Sequence, residues 1–457
     1  MIERLFKLRD CGTNVRTELL GGATTFATMA YIVVVNPAIL ASAGIPAGPS
    51  TVATVVTAIV GTLLMAFIAN RPIAVAPYMG ENAFIAFGLM AFGITWQQRL
   101  GAVFVSGVVF LVITLLGVRT WVANSISASL KHSFAVGIGL FLALIGLYET
   151  GIVTSFVAGH HAAQHLVAGT DVLAIPSVPL RIGDLGSLHV LFAILGFLLI
   201  VVLMHLRVPG AMLLGIILTA AVGQLAGLGE WPKEIVALPF KGPYSLAPIA
   251  FQLDIAGALK LSFLPILLTL FLMSLLDTLG TLIGVGAAGN LLDAKGNFPK
   301  IERPMLVDAL TCTFSGLIGT STSGAYIESA AGIREGARTG LAAVTTAALF
   351  AVTLFFLPAV RPLQELSYAY GPALIVVGLL MLESVRKIHF DDLTELVPAF
   401  ATVAMMVFTY NIGNGLTAGL VLHPLLKLTT GRVREITPGG ALLGLACLLY
   451  FIYGRPH

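Results

Sequence analysis

Charge is the scarcest property of this 457-residue sequence, since only 10% of its residues are Asp, Glu, Lys or Arg. Soluble globular domains carry about 25% charged residues. Hydrophobic side chains make up 57% of the chain, more than a water-soluble core can cover. The shortage of charge excludes a soluble enzyme and a disordered chain, and it predicts that lipid surrounds much of the protein.

Cysteine is also scarce, with only Cys11, Cys312 and Cys447 in the chain. They form no CxxC pair, so the sequence predicts neither a disulfide framework nor a zinc site. A net charge of +3 gives no basic field that would attract nucleic acid. The basic N-terminal residues precede a long apolar run without a cleavage site, so we expect no cleaved signal peptide.

Long apolar runs take the place of charge, and the first has no charged residue from Leu19 to Asn70. The runs are continuous rather than alternating, which favours membrane helices over barrel strands. A further apolar stretch, 441–453, is short for a span and is left undecided. The predicted spans number fourteen: 19–43, 51–69, 77–92, 100–117, 133–148, 188–206, 209–227, 261–286, 305–319, 323–333, 340–360, 371–385, 394–410 and 412–427.

The basic residues support this topology. With a cytoplasmic N-terminus and alternating spans, 18 of the 25 Lys and Arg residues fall on the cytoplasmic side. Cytoplasmic loops are enriched in Lys and Arg. We therefore predict a multi-pass protein of the cell membrane with its N-terminus in the cytoplasm.

Two predicted spans are interrupted by residues that do not suit a membrane helix. Residues 75–84 read VAPYMGENAF and residues 319–332 read GTSTSGAYIESAAG. They lie in the third and tenth spans. The offset of seven spans is an odd number, so their halves would have opposite orientation. Interrupted segments at matching places of two halves indicate a transporter site between inverted repeats. The predicted repeats are 19–227 and 261–427.

Four carboxylates lie more than two residues inside the ends of predicted spans: Glu81, Asp277, Asp308 and Glu328. Ionisable groups at membrane depth are costly and indicate function. We assign Glu328 to substrate or proton, with the capping of a half-helix as the alternative. We assign Asp277 to proton coupling, with a structural hydrogen bond to the neighbouring broken helix as the alternative. For Asp308 we expect pairing with Arg303 or a nearby backbone group.

Residues beside these acids complete the candidate site. Glu81 and Asn82 point differently on any regular backbone, and we favour Asn82 as the one that faces a cavity. Phe84 and Tyr326 flank the broken segments, where an aromatic ring either stacks on a planar ligand or simply packs. Thr25 in the first span either lines the cavity or bonds back to its own helix.

A histidine cluster, HHAAQH, lies in the long polar loop 149–187. Two histidines at this spacing ligate a metal on some helices. No carboxylate or Cys stands at ligand spacing, so we interpret His160, His161 and His165 as parts of a solvated loop and predict no metal site.

Three long motifs carry a resemblance to a known family. They are RTELLGGATTFATMAYIVVVNPAIL (Arg16–Leu40), LLDTLGTLIGVGAAGNLLDAKGNFPKI (Leu275–Ile301) and LVDALTCTFSGLIGTSTSGAYIESAAGIREGARTGL (Leu306–Leu341). The chain, from about residue 5 to residue 435, resembles the AzgA-like purine permeases of the nucleobase–cation symporter (nucleobase–ascorbate transporter) superfamily.

The resemblance implies an all-α fold of fourteen helices in two inverted seven-helix repeats, with short strands and half-helices in spans three and ten. It implies a core domain, 19–117 plus 261–360, and a gate domain, 133–227 plus 371–427. The implied activity is proton-coupled import of adenine, guanine or hypoxanthine by alternating access, without enzymatic chemistry or cofactor. The implied setting is a bacterial inner membrane, with purine base, protons and lipid as partners and a homodimer as an option.

By resemblance, the family's tenth-span glutamate matches Glu328, its third-span asparagine matches Asn82 and its second eighth-span aspartate matches Asp277. The first eighth-span acid of relatives falls on Ser274, whereas Glu81 stands where an apolar residue is common. We hypothesise that Glu81 partly replaces the missing acid. The expected substrate-binding set is Glu328, Asn82, Ala83, Phe84, Gly324, Ala325, Tyr326, Thr25 and Ser274, and the expected proton-coupling set is Asp277, Glu328 and Glu81. We expect the backbone amides of Gly324–Tyr326 and Ala83–Phe84 to bind the edge of the ring that Glu328 does not.

Other functions remain as alternatives. The same fold serves uracil or xanthine carriers and anion transporters of the sulfate-permease type, which would favour neutral or positive groups over three acids. A membrane enzyme lacks a nucleophile–base pair in this sequence, and a passive channel lacks an indication of pore symmetry.

Overall fold

The computed structural model describes residues 2–89, 92–155, 180–289, 291–292 and 298–453, so the HHAAQH histidines lie outside the described residues. Helices dominate the described part, and each strand has three residues. The helices are α1 (Ile2–Phe6), α2 (Val15–Met29), α3 (Ile32–Ser42), α4 (Ala47–Leu64), α5 (Met79–Ala83), α6 (Trp96–Leu115), α7 (Arg119–Ser125), α8 (Ala128–Glu149), α9 (Leu188–His205), α10 (Ala211–Leu225), α11 (Ile255–Ala258), α12 (Leu264–Ala288), α13 (Glu302–Ile318), α14 (Ser329–Arg334), α15 (Gly340–Thr353), α16 (Leu357–Glu365), α17 (Ser367–Met381), α18 (Leu393–Phe408), α19 (Ile412–Thr429) and α20 (Pro438–Tyr453). The strands are β1 (Val75–Pro77), β2 (Val153–Ser155), β3 (Leu180–Ile182) and β4 (Ser323–Ala325).

Several helices are long and apolar enough to cross a membrane. They number seven in the described residues, or eight if α15 and α16, which meet at an angle of 81°, form one bent span. The protein is therefore a helical, multi-pass membrane protein. Each predicted apolar segment overlaps a helix or a strand followed by a short helix. The full count of fourteen crossings stays a prediction, because the helices in the other predicted spans are too short or not apolar enough to cross a membrane by themselves.

The helices pack in two groups. In the first, α2 and α4 pack on α15, and α6 packs on α12 and α13. In the second, α8 packs on α17 and α18, α9 on α10 and α17, and α18 on α19. We refer to these as the first and second helix groups. The predicted division into core and gate domains, and their relative motion, stay predictions.

The first predicted span, 19–43, is two helices rather than one. The chain leaves α2 at Ala30 and enters α3 after Tyr31. Here the Ala30 carbonyl accepts from Val33 N at 3.1 Å, a 3₁₀-type bond that tightens the turn. The break places Tyr31 beside the second interrupted segment, as described below.

Proline creates a second irregularity in α3. Pro37 has no N–H, so the carbonyl of Val33 loses its helical partner. The Gln364 side chain of α16 restores a donor, because its Nε2 donates to Val33 O at 2.9 Å. The amide is buried and also donates to Thr51 Oγ1 at 2.9 Å. Gln364 thereby ties the bent α15–α16 unit to the first two predicted spans.

The two interrupted segments meet as an antiparallel strand pair. In this pairing Val75 lies opposite Ala325, and Pro77 lies opposite Ser323. The glycine after α13, Gly319, has φ +99°, a left-handed conformation that ends the helix and releases the chain toward β4.

The ends of this strand pair are related by an approximate twofold. Tyr78 follows β1 and donates from its N to Thr322 O at 2.9 Å, just before β4. Tyr326 follows β4 and donates from its N to Ala74 O at 2.9 Å, just before β1. The same relation in both directions fits segments that traverse the membrane in opposite senses.

A buried carboxylate that the sequence reasoning missed joins α2 to α15. Glu18 precedes the first predicted span, and its side chain is fully buried. Its Oε1 accepts from Arg338 N at 2.7 Å, and its Oε2 accepts from Thr339 N at 3.2 Å and Ala342 N at 3.1 Å. These are the otherwise unpaired amides at the start of α15, so Glu18 caps a helix more than 300 residues away in sequence.

We predict that Glu18→Gln destabilises the protein. The amide keeps one acceptor oxygen but turns an NH₂ group toward backbone donors, so at least one buried N–H loses its partner, at about 1–3 kcal/mol. Thermal unfolding in detergent should show a Tm several degrees lower than wild type. Glu302→Gln, at an exposed acid without a partner among the described residues, is the control. Equal Tm values for the two variants would contradict the capping role.

Candidate functional site

The strand pair β1–β4 lies between the short helices α5 and α14, and two anchored tyrosines flank it. The Tyr78 and Tyr326 rings are nearly parallel, with 8° between planes and 6.3 Å between centroids. The Tyr78 hydroxyl lies 3.1 Å from Thr278 Oγ1, and the Tyr326 hydroxyl donates to the carbonyl of Pro77. Both rings are therefore held in place by polar contacts as well as by packing.

Glu328 follows β4 and is partly exposed, whereas most of its neighbours are buried. Its Oε1 accepts a hydrogen bond from the Tyr31 hydroxyl at 2.9 Å. The Thr28 hydroxyl lies 3.4 Å from the Glu328 carbonyl. No other side chain among the described residues bonds this carboxylate. Glu328 thus has accepting capacity left for a ligand.

Glu81 in α5 and Asp277 in α12 bring two carboxyl groups together. The Glu81 side chain is fully buried, and neither of its oxygens has a donor partner in the described part of the chain. The Asp277 carboxyl lies close enough to interact with it. Two carboxyl groups bond each other only when one of them holds a proton. That this pair shares one proton stays a prediction.

Asn82 is fully buried beside Glu81. Its Nδ2 donates to Asn36 O at 3.2 Å, whereas its Oδ1 has no partner among the described residues. The donor half of the amide is therefore engaged with α3, and the acceptor half is available.

Asn36 is a polar centre that the sequence reasoning missed. Its Nδ2 donates to Thr54 Oγ1 at 2.7 Å and to Thr320 Oγ1 at 3.1 Å, and its Oδ1 accepts from Ser321 Oγ at 3.2 Å. It joins α3, α4 and the segment before β4 in one buried network. The signal was present, because an uncharged amide inside an apolar run is unusual at membrane depth.

Several backbone groups expected to bind a ligand are already engaged. Ala325 N donates to Asp308 Oδ2 at 3.0 Å, so Asp308 pairs with the backbone rather than with Arg303. Tyr326 N is used by the strand pair. The Phe84 N–H bonds carbonyls of α5, and both Ala83 and Phe84 are buried. Side chains rather than these amides are left to meet a ligand.

The remaining expected site residues, Ser274, Thr25 and Gly324, are closely packed against other parts of the protein. The Ser274 side chain is buried next to the Cys312 thiol of α13. The Thr25 hydroxyl lies against Gly332 of α14, where a Cβ would meet it. A Cβ on Gly324 would meet the Tyr78 ring. Their contacts with a ligand stay predictions.

Unpaired buried oxygens are concentrated around the strand pair. Buried polar groups in proteins are almost always hydrogen-bonded, and exceptions indicate function or bound solvent. A polar solute or water would satisfy this set. In the described residues, the unpaired atoms near β1 and β4 are Glu81 Oε1 and Oε2, Asn82 Oδ1, Ser274 Oγ, Asp308 Oδ1, Thr322 Oγ1 and Ser323 Oγ.

Arg99 lies between the third and fourth predicted spans and is buried. It lies in the first turn of α6 and is only 6% exposed. Its Nη1 donates to Ile85 O at 2.8 Å and to Ala86 O at 2.9 Å. These carbonyls belong to a π-helical segment, Phe84–Gly88, that continues α5. The guanidinium supplies donors that the interrupted helix lacks.

A second polar cluster lies at the ends of α18 and α19, beside a cavity of about 390 Å³. Lys427 is 2% exposed there, and its Nζ lies 3.0 Å from Glu395 and 2.6 Å from Glu435. Arg432 pairs with Asp392. Hydrogen bonds from Thr394 and from Arg432 hold the pKa of the Asp392 carboxyl below its ordinary value. The charges here largely neutralise one another, which indicates a structural role.

Comparison with known proteins identifies relatives over the full chain. A model described as a permease family matches residues 16–417. A putative permease from Methanocaldococcus jannaschii is 41% identical, covering 99% of this chain and 98% of the relative. The adenine permease AdeP from Escherichia coli is 37% identical, covering 100% and 97%. The guanine/hypoxanthine permease PbuO from Bacillus subtilis is 37% identical, covering 98% and 99%.

The fold is similar to solved transporter structures. The transmembrane domain of the cyanobacterial bicarbonate transporter BicA superposes with a TM-score of 0.62, covering 89% of this chain and 97% of that one. The sequence identity is 16%, so this likeness concerns the fold alone.

We predict that Gly324→Ala disturbs the strand pair. The added Cβ meets the Tyr78 ring, which the Thr278 hydroxyl holds, and relief of such overpacking costs about 1–3 kcal/mol. Melting followed by tryptophan fluorescence should give a Tm below that of wild type. The control is Gly280→Ala, because a Cβ on Gly280 has nothing within 4 Å and alanine favours a helix. A Gly324→Ala protein that melts like Gly280→Ala would contradict the tight approach of Tyr78.

Proposed function

The chain belongs to this permease family, and we propose that it imports a purine nucleobase, namely adenine, guanine or hypoxanthine, together with protons. Family and relatives indicate a transporter rather than an enzyme. The observation that carries the proposal is the β1–β4 pair with Glu328 and unpaired buried oxygens beside it, in a chain whose relatives are named purine permeases.

The geometry supports recognition of a flat heterocycle by side chains. Glu328 accepts a hydrogen bond from a ring or exocyclic N–H of the base, since only Tyr31 donates to it from another described side chain. Asn82 Oδ1 offers a second acceptor. A planar base presents several donors in one plane, which suits two acceptors, one in α5 and one at the start of α14. In this proposal Phe84, Tyr326, Ser274 and Thr25 shape the pocket.

The carboxyl pair supports proton coupling. In this proposal Glu81 and Asp277 share one proton, and Asp277, the partly exposed member of the pair, exchanges it with solvent. Adding or removing one proton changes the charge buried between α5 and α12. Since an uncompensated charge at membrane depth is costly, that change biases the two helix groups between arrangements.

The two helix groups support alternating access. We propose that the first group, 19–117 plus 261–360, is the core and the second, 133–227 plus 371–427, is the gate. One bond between them, from Asn411 Nδ2 to Gly88 O at 2.9 Å, must break when they separate. The proposed setting has fourteen spans, a bacterial inner membrane and a cytoplasmic N-terminus, with a homodimer as an option.

Other substrates on this fold are the alternative. Uracil or xanthine would use the same acceptors. An inorganic anion would face Glu81, Asp277 and Glu328, whose charge repels it. The likeness to a bicarbonate transporter concerns the fold and does not offset that charge.

Glu328→Gln tests recognition. The amide presents an NH₂ group where the base needs an acceptor, so we expect uptake of labelled hypoxanthine and adenine in a purine-uptake-deficient strain to fall at least about a hundredfold. Uptake at wild-type rates from pH 5 to pH 8, with equal protein in the membrane, would show that Glu328 does not bind the base. Sulfate- or chloride-dependent currents would favour the anion alternative instead.

Glu81→Gln tests coupling. Without a titratable partner, Asp277 cannot exchange its proton across the pair, so accumulation driven by an imposed proton gradient should be lost in proteoliposomes. Counterflow, which needs only substrate on both sides, should persist, and it also separates a carrier from a channel. Glu302→Gln should keep both activities. Gradient-driven accumulation equal to wild type in Glu81→Gln would exclude the pair as the coupling element.

A separate substitution, Glu81→Leu, tests whether Glu81 replaces the acid missing at Ser274. If it does, the affinity for purine falls, because the leucine side chain restores neither charge nor acceptor. Unchanged affinity in a competition assay would refute the replacement.

A further inference from the structure

The break between α2 and α3 brings a phenol to the proposed substrate carboxylate. Tyr31 is 2% exposed, although its hydroxyl is polar. A buried phenol needs a partner, and the Tyr31 hydroxyl has one in Glu328 Oε1 at 2.9 Å. The two residues lie almost 300 positions apart, on opposite repeats.

The backbone at the break is tight rather than loose. Tyr31 O accepts from Val34 N at 3.0 Å and from Val35 N at 3.0 Å, a bond shared between 3₁₀ and α geometry. Tyr31 itself has φ −55° and ψ −24°. Short 3₁₀ turns within a span often mark a hinge. The Tyr31 side chain therefore leaves the helix from a defined position that the break sets.

A second contact from the same span holds the main chain of Glu328. The Thr28 hydroxyl donates to Thr25 O at 2.9 Å within α2 and lies 3.4 Å from Glu328 O. Thr28 and Tyr31 stand on the two sides of the α2 end. One contacts the backbone of Glu328 and the other its carboxylate. The first span thus controls both where Glu328 sits and how its carboxylate is turned.

We propose that Tyr31 is a positioning residue for substrate recognition, which orients the Glu328 carboxylate by occupying Oε1 and directing the rest of its accepting capacity to the ligand. This inference rests on the proposed function, in which Glu328 binds the base. Without the phenol, the flexible glutamate side chain samples other rotamers. Each binding event must then order it again, at an entropic cost.

The predicted signature is a change in affinity that depends on Glu328. Tyr31→Phe removes one oxygen and keeps the ring, so the break and its packing are retained. The KM for hypoxanthine should rise about tenfold, the size expected for one hydrogen bond to a charged group, with little change in maximal rate. A phenol that served only the fold would lower the amount of active protein, and thus the maximal rate, without moving KM.

The matched control is Tyr368→Phe. Tyr368 is also buried, at 1% exposure, and its hydroxyl has no hydrogen-bond partner among the described residues. Its substitution deletes the same atom in the second helix group and should leave KM unchanged. Membrane protein amounts and Tm values of both variants are measured alongside.

A double-mutant cycle provides the decisive comparison. In a Glu328→Gln background, where residual affinity is read from competition by unlabelled hypoxanthine, Tyr31→Phe should add less than about twofold, since the carboxylate it orients is gone. Two results would overturn the inference: a wild-type KM in Tyr31→Phe, or a full tenfold effect that persists in the Glu328→Gln background.

The proposed function fails separately from this inference. If wild-type protein does not take up purines, the function is wrong whatever Tyr31 does. If wild type transports, Glu328→Gln does not and Tyr31→Phe behaves like wild type, only the positioning role is lost.

Discussion

The antiparallel pairing of β1 with β4 is the constraint on which the rest of the structure depends. A membrane segment that stops being helical exposes backbone donors and acceptors that lipid cannot satisfy. Here each interrupted segment satisfies the other, through the bonds between Tyr78 and Thr322 and between Tyr326 and Ala74. The pairing requires both segments at the same depth, and it places α5 and α14 on either side of one position. Glu81 and Glu328 lie near each other because the strands that precede them are paired.

Glu81, beside the strand pair, lacks the partners that buried acids have at two other places in the protein. Glu18 is paired with backbone amides, and Lys427 lies among carboxylates that balance its charge. Glu81 has neither kind of partner, and its neighbour is another acid. Buried charge is therefore neutralised at two other places in the protein but not at Glu81 beside the strand pair. A proton or a donor group of a purine base would satisfy the unpaired oxygens there.

The sequence predicts the features that unusual residues mark within a short segment. VAPYMGENAF and GTSTSGAYIESAAG stand out within apolar runs, so the interrupted spans and their acids could be inferred, whereas the opposite orientation of the two repeats stays a prediction. Contacts between residues far apart in sequence could not be predicted. The residues around Tyr31 do not indicate that it contacts Glu328, and those around Glu18 do not indicate that it contacts the start of α15. Likewise, no local pattern indicated that Arg99 donates to the carbonyls of Ile85 and Ala86. We expected the Ala325 and Tyr326 amides to bind the ligand. Asp308 accepts from the first, and the strand pairing uses the second.

The central claim is that a purine base binds beside the β1–β4 pair, and a structure of the protein with bound adenine or hypoxanthine tests it most directly. The account predicts density for the base between α5, α12 and β4, with a ring or exocyclic nitrogen within hydrogen-bonding distance of Glu328 and the Tyr31 contact intact. Density elsewhere, such as in the cavity beside Lys427, with the strand pair unoccupied at saturating base, would contradict it.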